Sequence, residues 1–77
     1  MAKAKSLGGA LQTCRLDAGL MYSEVGEALG LDSGMTITHY EKDRRCPTMP
    51  RLAEVLGIYQ AEIYLKTKKG KMVKVKL

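Results

Sequence analysis

The chain has 77 residues, 45% of them hydrophobic and 27% charged, so one folded domain with a small core is expected. No apolar run approaches the roughly 18 residues that cross a bilayer. The basic N-terminus also lacks the apolar segment of a signal peptide, so we expect a cytoplasmic protein. With two cysteines and one histidine, neither a disulfide framework nor a metal site is expected.

The formal net charge of +5 is unevenly distributed along the chain. Residues 1–65 hold seven basic and eight acidic residues, whereas residues 66–77 hold six lysines and no acid. Residues 66–77 therefore carry the whole excess of positive charge. Net charge by itself is a weak indication of what the rest of the chain binds.

The first two helices are predicted from apolar residues that recur at helical spacing. Ser6 is a suitable N-cap for the first, and Gly19 can end it in a left-handed conformation. Gly8 and Gly9 leave room for close packing in its first turn. The second helix is predicted from about Tyr22 to Leu29. The residues predicted to face the core are Leu7, Leu11, Cys14 and Ala18 in the first helix and Val25, Ala28 and Leu29 in the second.

A third helix is predicted to begin at Asp32 or Ser33, which are both good N-caps, and to end at about Lys42. Thr48 is the predicted N-cap of a fourth helix, which Gly57 is expected to end. The predicted inward residues are Ile37, Tyr40 and Glu41 in the third helix and Met49, Leu52, Ala53 and Leu56 in the fourth.

The C-terminal residues alternate between apolar and polar from Ile63 to Leu77, with a turn at Lys69-Gly70, which favours a β-hairpin. A short fifth helix over Gln60–Leu65 is the alternative for the first arm. The predicted fold class is therefore mainly α: a compact bundle of four to five helices with a helix-turn-helix, plus a short C-terminal β-strand or hairpin. The predicted organisation is a disordered basic N-terminus at 1–5, a helix-turn-helix domain at 6–58 and a dimerisation strand or basic tail at 59–77.

The second and third helices, joined by a short turn that contains glycine, favour a helix-turn-helix motif that reads the major groove of DNA. A recognition helix needs an apolar inner face and an outer face of small or hydrogen-bonding side chains. The outward residues here are Ser33, Gly34, Met35, Thr36, Thr38 and His39. An ordinary exposed helix face is the alternative interpretation.

Four stretches of sequence carry a resemblance to a known family. They are LDAGL at 16–20, EVGEALGL at 24–31, ITHYEKDRRCP at 37–47 and LAEVLGI at 52–58. Together they resemble the XRE family, the lambda-repressor-like helix-turn-helix proteins that include phage repressors and Cro. The resemblance covers about residues 7–58. It implies a phage or bacterial transcriptional regulator that binds operator DNA as a homodimer, with half-sites about one helical turn apart.

The resemblance also implies roles for individual residues. Arg15 and Glu41 are expected to form an ion pair that ties the first helix to the third. The predicted base contacts are Ser33, Met35, Thr36, Thr38 and His39, with Thr36 and His39 favoured and Met35 against a thymine methyl. The predicted phosphate contacts are Tyr22, Gly34, Lys42, Arg44 and Arg45, although an exposed basic turn is the alternative for the last three.

The sequence departs from the family pattern in several places. Met21 and Tyr22 replace a polar cap and a phosphate-binding glutamine, so Tyr22 is expected either to bond a phosphate or to pack in the core. Gly26 replaces the usual alanine and is expected to loosen the second helix. The turn from Gly30 to Ile37 is one residue longer, which shifts the register of base contacts. Asp43 stands where glycine is usual, and aspartate tolerates a left-handed conformation.

The tail has two candidate roles. Strand pairing with a second subunit would bury Val73, Val75 and Leu77 in a homodimer, or the lysines would act as a flexible arm that neutralises phosphates. An alternative for the whole chain is a protein-interaction module, such as an antitoxin-like adaptor with nonspecific nucleic-acid affinity from its tail. Catalysis is not expected, because no partnered nucleophile or carboxylate pair accompanies His39. No cofactor, small-molecule ligand or membrane partner is expected either.

Overall fold

The computed structural model describes residues 5–77, which form four helices followed by a two-stranded antiparallel sheet. The elements are α1 (Leu7–Asp17), α2 (Tyr22–Ala28), α3 (Met35–Glu41), α4 (Met49–Tyr59), β1 (Ile63–Lys66) and β2 (Met72–Val75). The predicted mainly helical fold with a C-terminal hairpin is confirmed. The predicted disordered segment lies outside the described residues, except for Lys5. None of the helices in residues 5–77 is long and apolar enough to cross a bilayer.

The core lies between the four helices, each of which contributes to it. Its buried side chains are Leu11, Val25, Ile37, Leu52, Val55, Leu56 and Tyr59. Burying one branched apolar side chain of this size contributes about 1.5–3 kcal/mol. Val55 and Tyr59 were not among the residues predicted to face inward, and both belong to α4.

A carboxylate from the loop after α3 holds the N-terminus of α1. Asp43 has a left-handed backbone (φ 57°), as predicted, and its Oδ1 accepts from the Gly8 N–H at 3.0 Å. Its Oδ2 accepts from the Ser6 hydroxyl at 2.7 Å, while the Ser6 Oγ caps the Gly9 N–H. A Cβ on Gly8 would lie 2.5 Å from the Tyr40 carbonyl oxygen. The predicted close packing therefore applies to Gly8 but not to Gly9, where the nearest atom would be 3.4 Å away.

Two helix boundaries differ from the sequence prediction. Helix α3 begins at Met35 rather than Ser33, because Ser33 belongs to the turn and its Oγ accepts from the Met35 N–H at 3.3 Å. Helix α4 does not end at Gly57 but continues to Tyr59, and Gln60 takes the left-handed conformation that ends it (φ 54°). Burial of the Tyr59 ring outweighs the roughly 1 kcal/mol that a glycine costs inside a helix.

Four residues predicted to face the core are exposed instead. They are Leu7, Ala18, Ala28 and Met49. Each lies in the first turn of its helix or at its C-terminal end, where fewer neighbouring elements cover it. Helical spacing predicts the direction of a side chain, but it does not predict whether another element covers that direction.

The two strands form the predicted hairpin, and their apolar residues alternate with polar ones as expected from the sequence. Ile63 lies opposite Val75 and Leu65 lies opposite Val73, and these apolar pairs share one face of the hairpin. Gly70 supplies the positive φ of the turn (92°). The alternative of a fifth helix over residues 60–65 is wrong, because the alternating apolar residues form cross-strand pairs that a helix would separate.

Candidate nucleic-acid interface

Helices α2 and α3 and the turn between them, residues 22–41, form the α2–α3 unit, in which backbone packs directly against backbone. Gly30 ends α2 with a positive φ (75°). A Cβ on Gly26 would collide with the Ser33 carbonyl, and a Cβ on Gly34 would lie 2.6 Å from the backbone carbonyl carbon of Tyr22. The longer turn therefore folds back onto α2 where two glycines leave space. Gly26 allows this close approach, and the predicted loosening of α2 by this glycine stays a prediction.

A buried ion pair ties the last turn of α3 to α1. The Arg15 Nε donates to the Glu41 Oε2 at 2.7 Å and Nη2 donates to Oε1 at 3.3 Å, with side chains only 7% and 2% exposed. The remaining Nη1 donates to the Leu20 carbonyl at 2.7 Å. The hydrogen bond with Glu41 raises the pKa of Arg15 above its usual value, so the guanidinium stays charged. The structure thus forms the ion pair that the family resemblance implied.

The Tyr22 ring packs against the guanidinium of Arg15. The guanidinium carbon of Arg15 lies 4.0 Å from the centre of the Tyr22 ring, within the range of a cation–π interaction. Tyr22 is half-buried and packs against the hydrophobic core. Its ring therefore joins the start of α2 to the ion pair at the end of α3. Its contact with a phosphate stays a prediction.

The outer face of α3 offers both apolar and hydrogen-bonding side chains. Ile37 and Glu41 point inward and are buried, whereas Met35 is 61% exposed and Thr36 and His39 are half-buried. His39 follows Met35 by four residues and Thr36 by three, so its side chain neighbours both on the same side of the helix. This face carries a thioether, a hydroxyl and an imidazole, which together provide apolar contact, a donor and an acceptor.

Two other predicted base contacts are partly engaged within the protein. The Thr38 hydroxyl donates to the Gly34 carbonyl at 3.2 Å, so its proton is already used. Ser33 is exposed in the turn, where its Oγ accepts from the Met35 N–H at 3.3 Å. Thr36 and His39 are therefore the better placed of the predicted polar contacts.

A basic loop follows α3 directly. Lys42, Arg44 and Arg45 are exposed, and none of them makes an ion pair with any of residues 5–77. The Arg44 N–H donates to the His39 carbonyl at 2.9 Å, which ties the loop backbone to the last turn of α3. Three cations without acidic partners in the described chain thus lie beside the C-terminal end of the outer face of α3.

The described residues contain no cluster of His, Cys, Asp and Glu that could hold a metal ion. Cys14 is half-buried and Cys46 is exposed, and both are free thiols.

Sequence reasoning missed two further contacts near the ends of α3. They are the approach of Gly34 to Tyr22 and the bridge from Asp43 to the N-terminus of α1. A signal for the first was present, because Gly34 lies inside the helix predicted from the sequence, and a glycine in a helical pattern often has a packing reason. The sequence does not say which segment approaches, and that information comes only from the fold.

No protein-family model matches the chain, and no curated protein or solved structure matches it. The resemblance to the XRE family stays a hypothesis. Support for a function therefore comes from the geometry and chemistry of the site.

Proposed function

We propose that this chain is a sequence-specific DNA-binding protein in which α2, the turn and α3 act as a helix-turn-helix. The observation that carries the proposal is the two-sided character of α3. Its inner side is held by Ile37 and by the buried Glu41–Arg15 pair, while its outer side presents Met35, Thr36 and His39. The major groove admits an α-helix, and base edges are read by hydrogen-bonding and apolar groups of this kind.

The residues divide into two groups under this proposal. Thr36 and His39 contact base edges and Met35 packs on a thymine methyl, because these groups are exposed or half-buried and close together on α3. Lys42, Arg44 and Arg45 contact phosphates, because they are exposed and have no acidic partner in residues 5–77. Phosphate contacts position a protein on the duplex, whereas base contacts provide the sequence preference.

We further propose that the protein acts as a homodimeric transcriptional regulator of the lambda-repressor-like type. Support comes from the hairpin, where Val73 and Leu77 are exposed and Val75 is half-buried. One edge of β2 pairs with β1, and its other edge has no strand partner within residues 5–77. An open edge beside exposed apolar side chains suits pairing with a second copy.

Selection of binding sites from a pool of random duplexes tests the proposal. A dimer that reads DNA through two copies of α3 should enrich a two-fold-related sequence with half-sites about 10 base pairs apart. The same selection with Thr36→Ala should recover a sequence that is relaxed at particular base pairs. A wild-type selection that enriches no sequence would overturn the proposal.

A protein-interaction module is the second candidate function. The exposed apolar side chains of Leu65 and Leu77 favour it, because they offer a surface that a partner strand or helix could cover. The near-neutral charge of residues 1–65 agrees with it as well. The random-duplex selection separates the two functions, since an interaction module has no preferred base sequence.

A further inference from the structure

The hairpin carries a concentration of positive charge that the α2–α3 unit does not use. Its lysines are Lys66, Lys68, Lys69, Lys71, Lys74 and Lys76, all of them exposed. Lys74 is ion-paired with Glu62, which raises the pKa of Lys74 and lowers the pKa of Glu62. The other five lysines make no ion pair with any of residues 5–77. Most of this charge therefore has no counter-charge in the described chain.

Four of these lysines lie within residues 66–71, which we call the hairpin tip. The tip is a hydrogen-bonded loop: the Thr67 N–H donates to the Lys71 carbonyl at 2.8 Å, and the Lys71 N–H donates to the Thr67 Oγ1 at 3.0 Å. The Gly70 N–H donates to the Thr67 carbonyl at 2.9 Å. Because these bonds fix the backbone, a ligand that binds the tip need not order it first.

Exposure increases from the base of the hairpin toward the tip. Ile63 and Val75, beside the end of α4, are half-buried, whereas Leu65 is 64% exposed and Val73 is 44% exposed. The described residues extend 44 Å along their longest axis and 23 Å along the other two. The hairpin therefore projects from the helices, and its most distant part presents only polar and cationic side chains.

We propose that the hairpin tip is a second DNA-contacting surface, in which the lysines bind phosphates of the same duplex that α3 is proposed to read. This inference rests on the proposed function for the identity of that duplex. Double-stranded DNA carries one negative charge per ~1.7 Å of axis, so a duplex has phosphates along its whole length for the lysines to bind. Lysine ammonium groups act as point charges toward phosphates and need no fixed orientation.

The composition of the tip favours a duplex over an anionic bilayer. Binding at a bilayer surface combines lysines with apolar side chains that enter the headgroup region. Residues 67–71, TKKGK, include no apolar side chain. The nearest apolar residues, Leu65 and Val73, lie on the strands behind the tip.

The test compares the full-length wild type with the triple variant Lys68→Gln/Lys69→Gln/Lys71→Gln. The affinity for a selected duplex and for a scrambled duplex is measured by fluorescence anisotropy over a range of salt concentrations. Each phosphate contact contributes about 0.9 to the slope of log affinity against log salt, so the triple variant should reduce the slope by about 2–3. Affinity should fall by the same factor on both duplexes, because phosphate contacts do not read sequence.

A matched variant, Lys68→Arg/Lys69→Arg/Lys71→Arg, keeps the charge and should keep the wild-type slope. An unchanged slope in the glutamine variant would overturn the inference, and an intact preference for the selected duplex would then leave the proposed function standing. A reduced slope without any wild-type sequence preference would support the inference and contradict the proposed function. A reduced salt slope in the arginine variant would overturn the inference, because that variant keeps the charge and the reduction would need another cause. Tip-dependent binding to phosphatidylserine vesicles with an unchanged duplex slope would also overturn it.

Discussion

The α2–α3 unit and the C-terminal hairpin present their polar side chains by different means. In the unit, backbone packs on backbone at Gly26 and Gly34, and the buried Arg15–Glu41 pair fixes the end of α3. In the hairpin, two four-residue strands and a hydrogen-bonded turn support lysines that are exposed. The backbone of α3 is therefore packed against the rest of the domain at both ends, whereas the lysines stand on an exposed hairpin.

This difference corresponds to what the two proposed contacts require. A base edge has a defined set of donors and acceptors, so the group that reads it must be held in a narrow range of positions. A phosphate attracts a cation from many directions, and its contribution depends on charge and salt. A packed, nearly neutral body and an exposed, basic hairpin therefore suit base recognition and phosphate attraction respectively.

Removal of Arg15 should have the largest effect on the α2–α3 unit. Arg15→Ala leaves the buried Glu41 carboxylate without its partner, so the free energy of unfolding should fall by about 3–5 kcal/mol in urea denaturation. The double variant Arg15→Met/Glu41→Leu should recover most of this loss, because no buried charge is left unpaired. A loss below about 1 kcal/mol for Arg15→Ala would show that the pair does not hold α3 in place.

The close approach inside the unit is tested by alanine at a glycine. Gly26→Ala should reduce the free energy of unfolding by about 1–3 kcal/mol, because the new Cβ meets backbone atoms of Ser33 and Gly34 that cannot move independently. Gly57→Ala is the matched control, since nothing lies within 4 Å of a Cβ there and α4 should gain about 0.5–1 kcal/mol. Equal effects at both positions in urea denaturation would contradict the close packing of the turn on α2.

The outer face of α3 and the basic loop should respond differently on DNA. Thr36→Ala or His39→Ala should reduce discrimination at particular base pairs by about 1–3 kcal/mol, because a base contact is lost. Arg44→Ala should weaken all duplexes alike and reduce the salt slope by about 1. Competition binding with single-base variants of the selected duplex measures both. If all three variants lost the same affinity for every duplex, residues other than Thr36 and His39 would have to contact the bases.

Near neutral pH, Tyr59→Phe should have the smallest effect on the free energy of unfolding. At alkaline pH its effect should depend on pH. Its hydroxyl is buried and has no hydrogen-bond partner among residues 5–77, so Tyr59→Phe should leave stability unchanged or raise it by about 1 kcal/mol. Burial raises the pKa of Tyr59 from 10.0 to about 12. Between these pH values the unfolded chain releases a proton that the folded chain retains, so this group's contribution to stability is lost as pH rises.

Urea denaturation at a series of alkaline pH values should therefore show the wild type losing stability relative to Tyr59→Phe between about pH 10 and 12. Below pH 10 the difference between the two proteins should be constant. A constant difference over the whole range would mean that the Tyr59 hydroxyl reaches solvent.

The sequence predicted the local features that depend on neighbouring residues. Ser6 and Thr48 cap α1 and α4, and Gly19 and Gly70 adopt positive φ. Each of these features follows from the chemistry of one residue and its own helix or turn. The alternation that predicted the hairpin is local in the same sense.

The errors and omissions concern packing between separate elements. The sequence predicted that α4 ends at Gly57, but burial of Tyr59 extends it. It did not predict that the Ser33 carbonyl occupies the space beside Gly26. It also gave no sign that the Asp43 carboxylate reaches the N-terminus of α1. In each case the outcome depends on a contact between separate elements of the fold, and no local pattern records it.

The clearest test of whether α3 reads base sequence is a titration followed by NMR. Amide chemical shifts are measured with the selected duplex and with a scrambled one. We expect the amides of residues 33–39 to shift differently with the two duplexes, because α3 meets different base edges. The amides of the hairpin tip should shift alike with both, because they meet only phosphates. Identical shifts of residues 33–39 with both duplexes, or no shift there at all, would contradict the claim that α3 reads DNA.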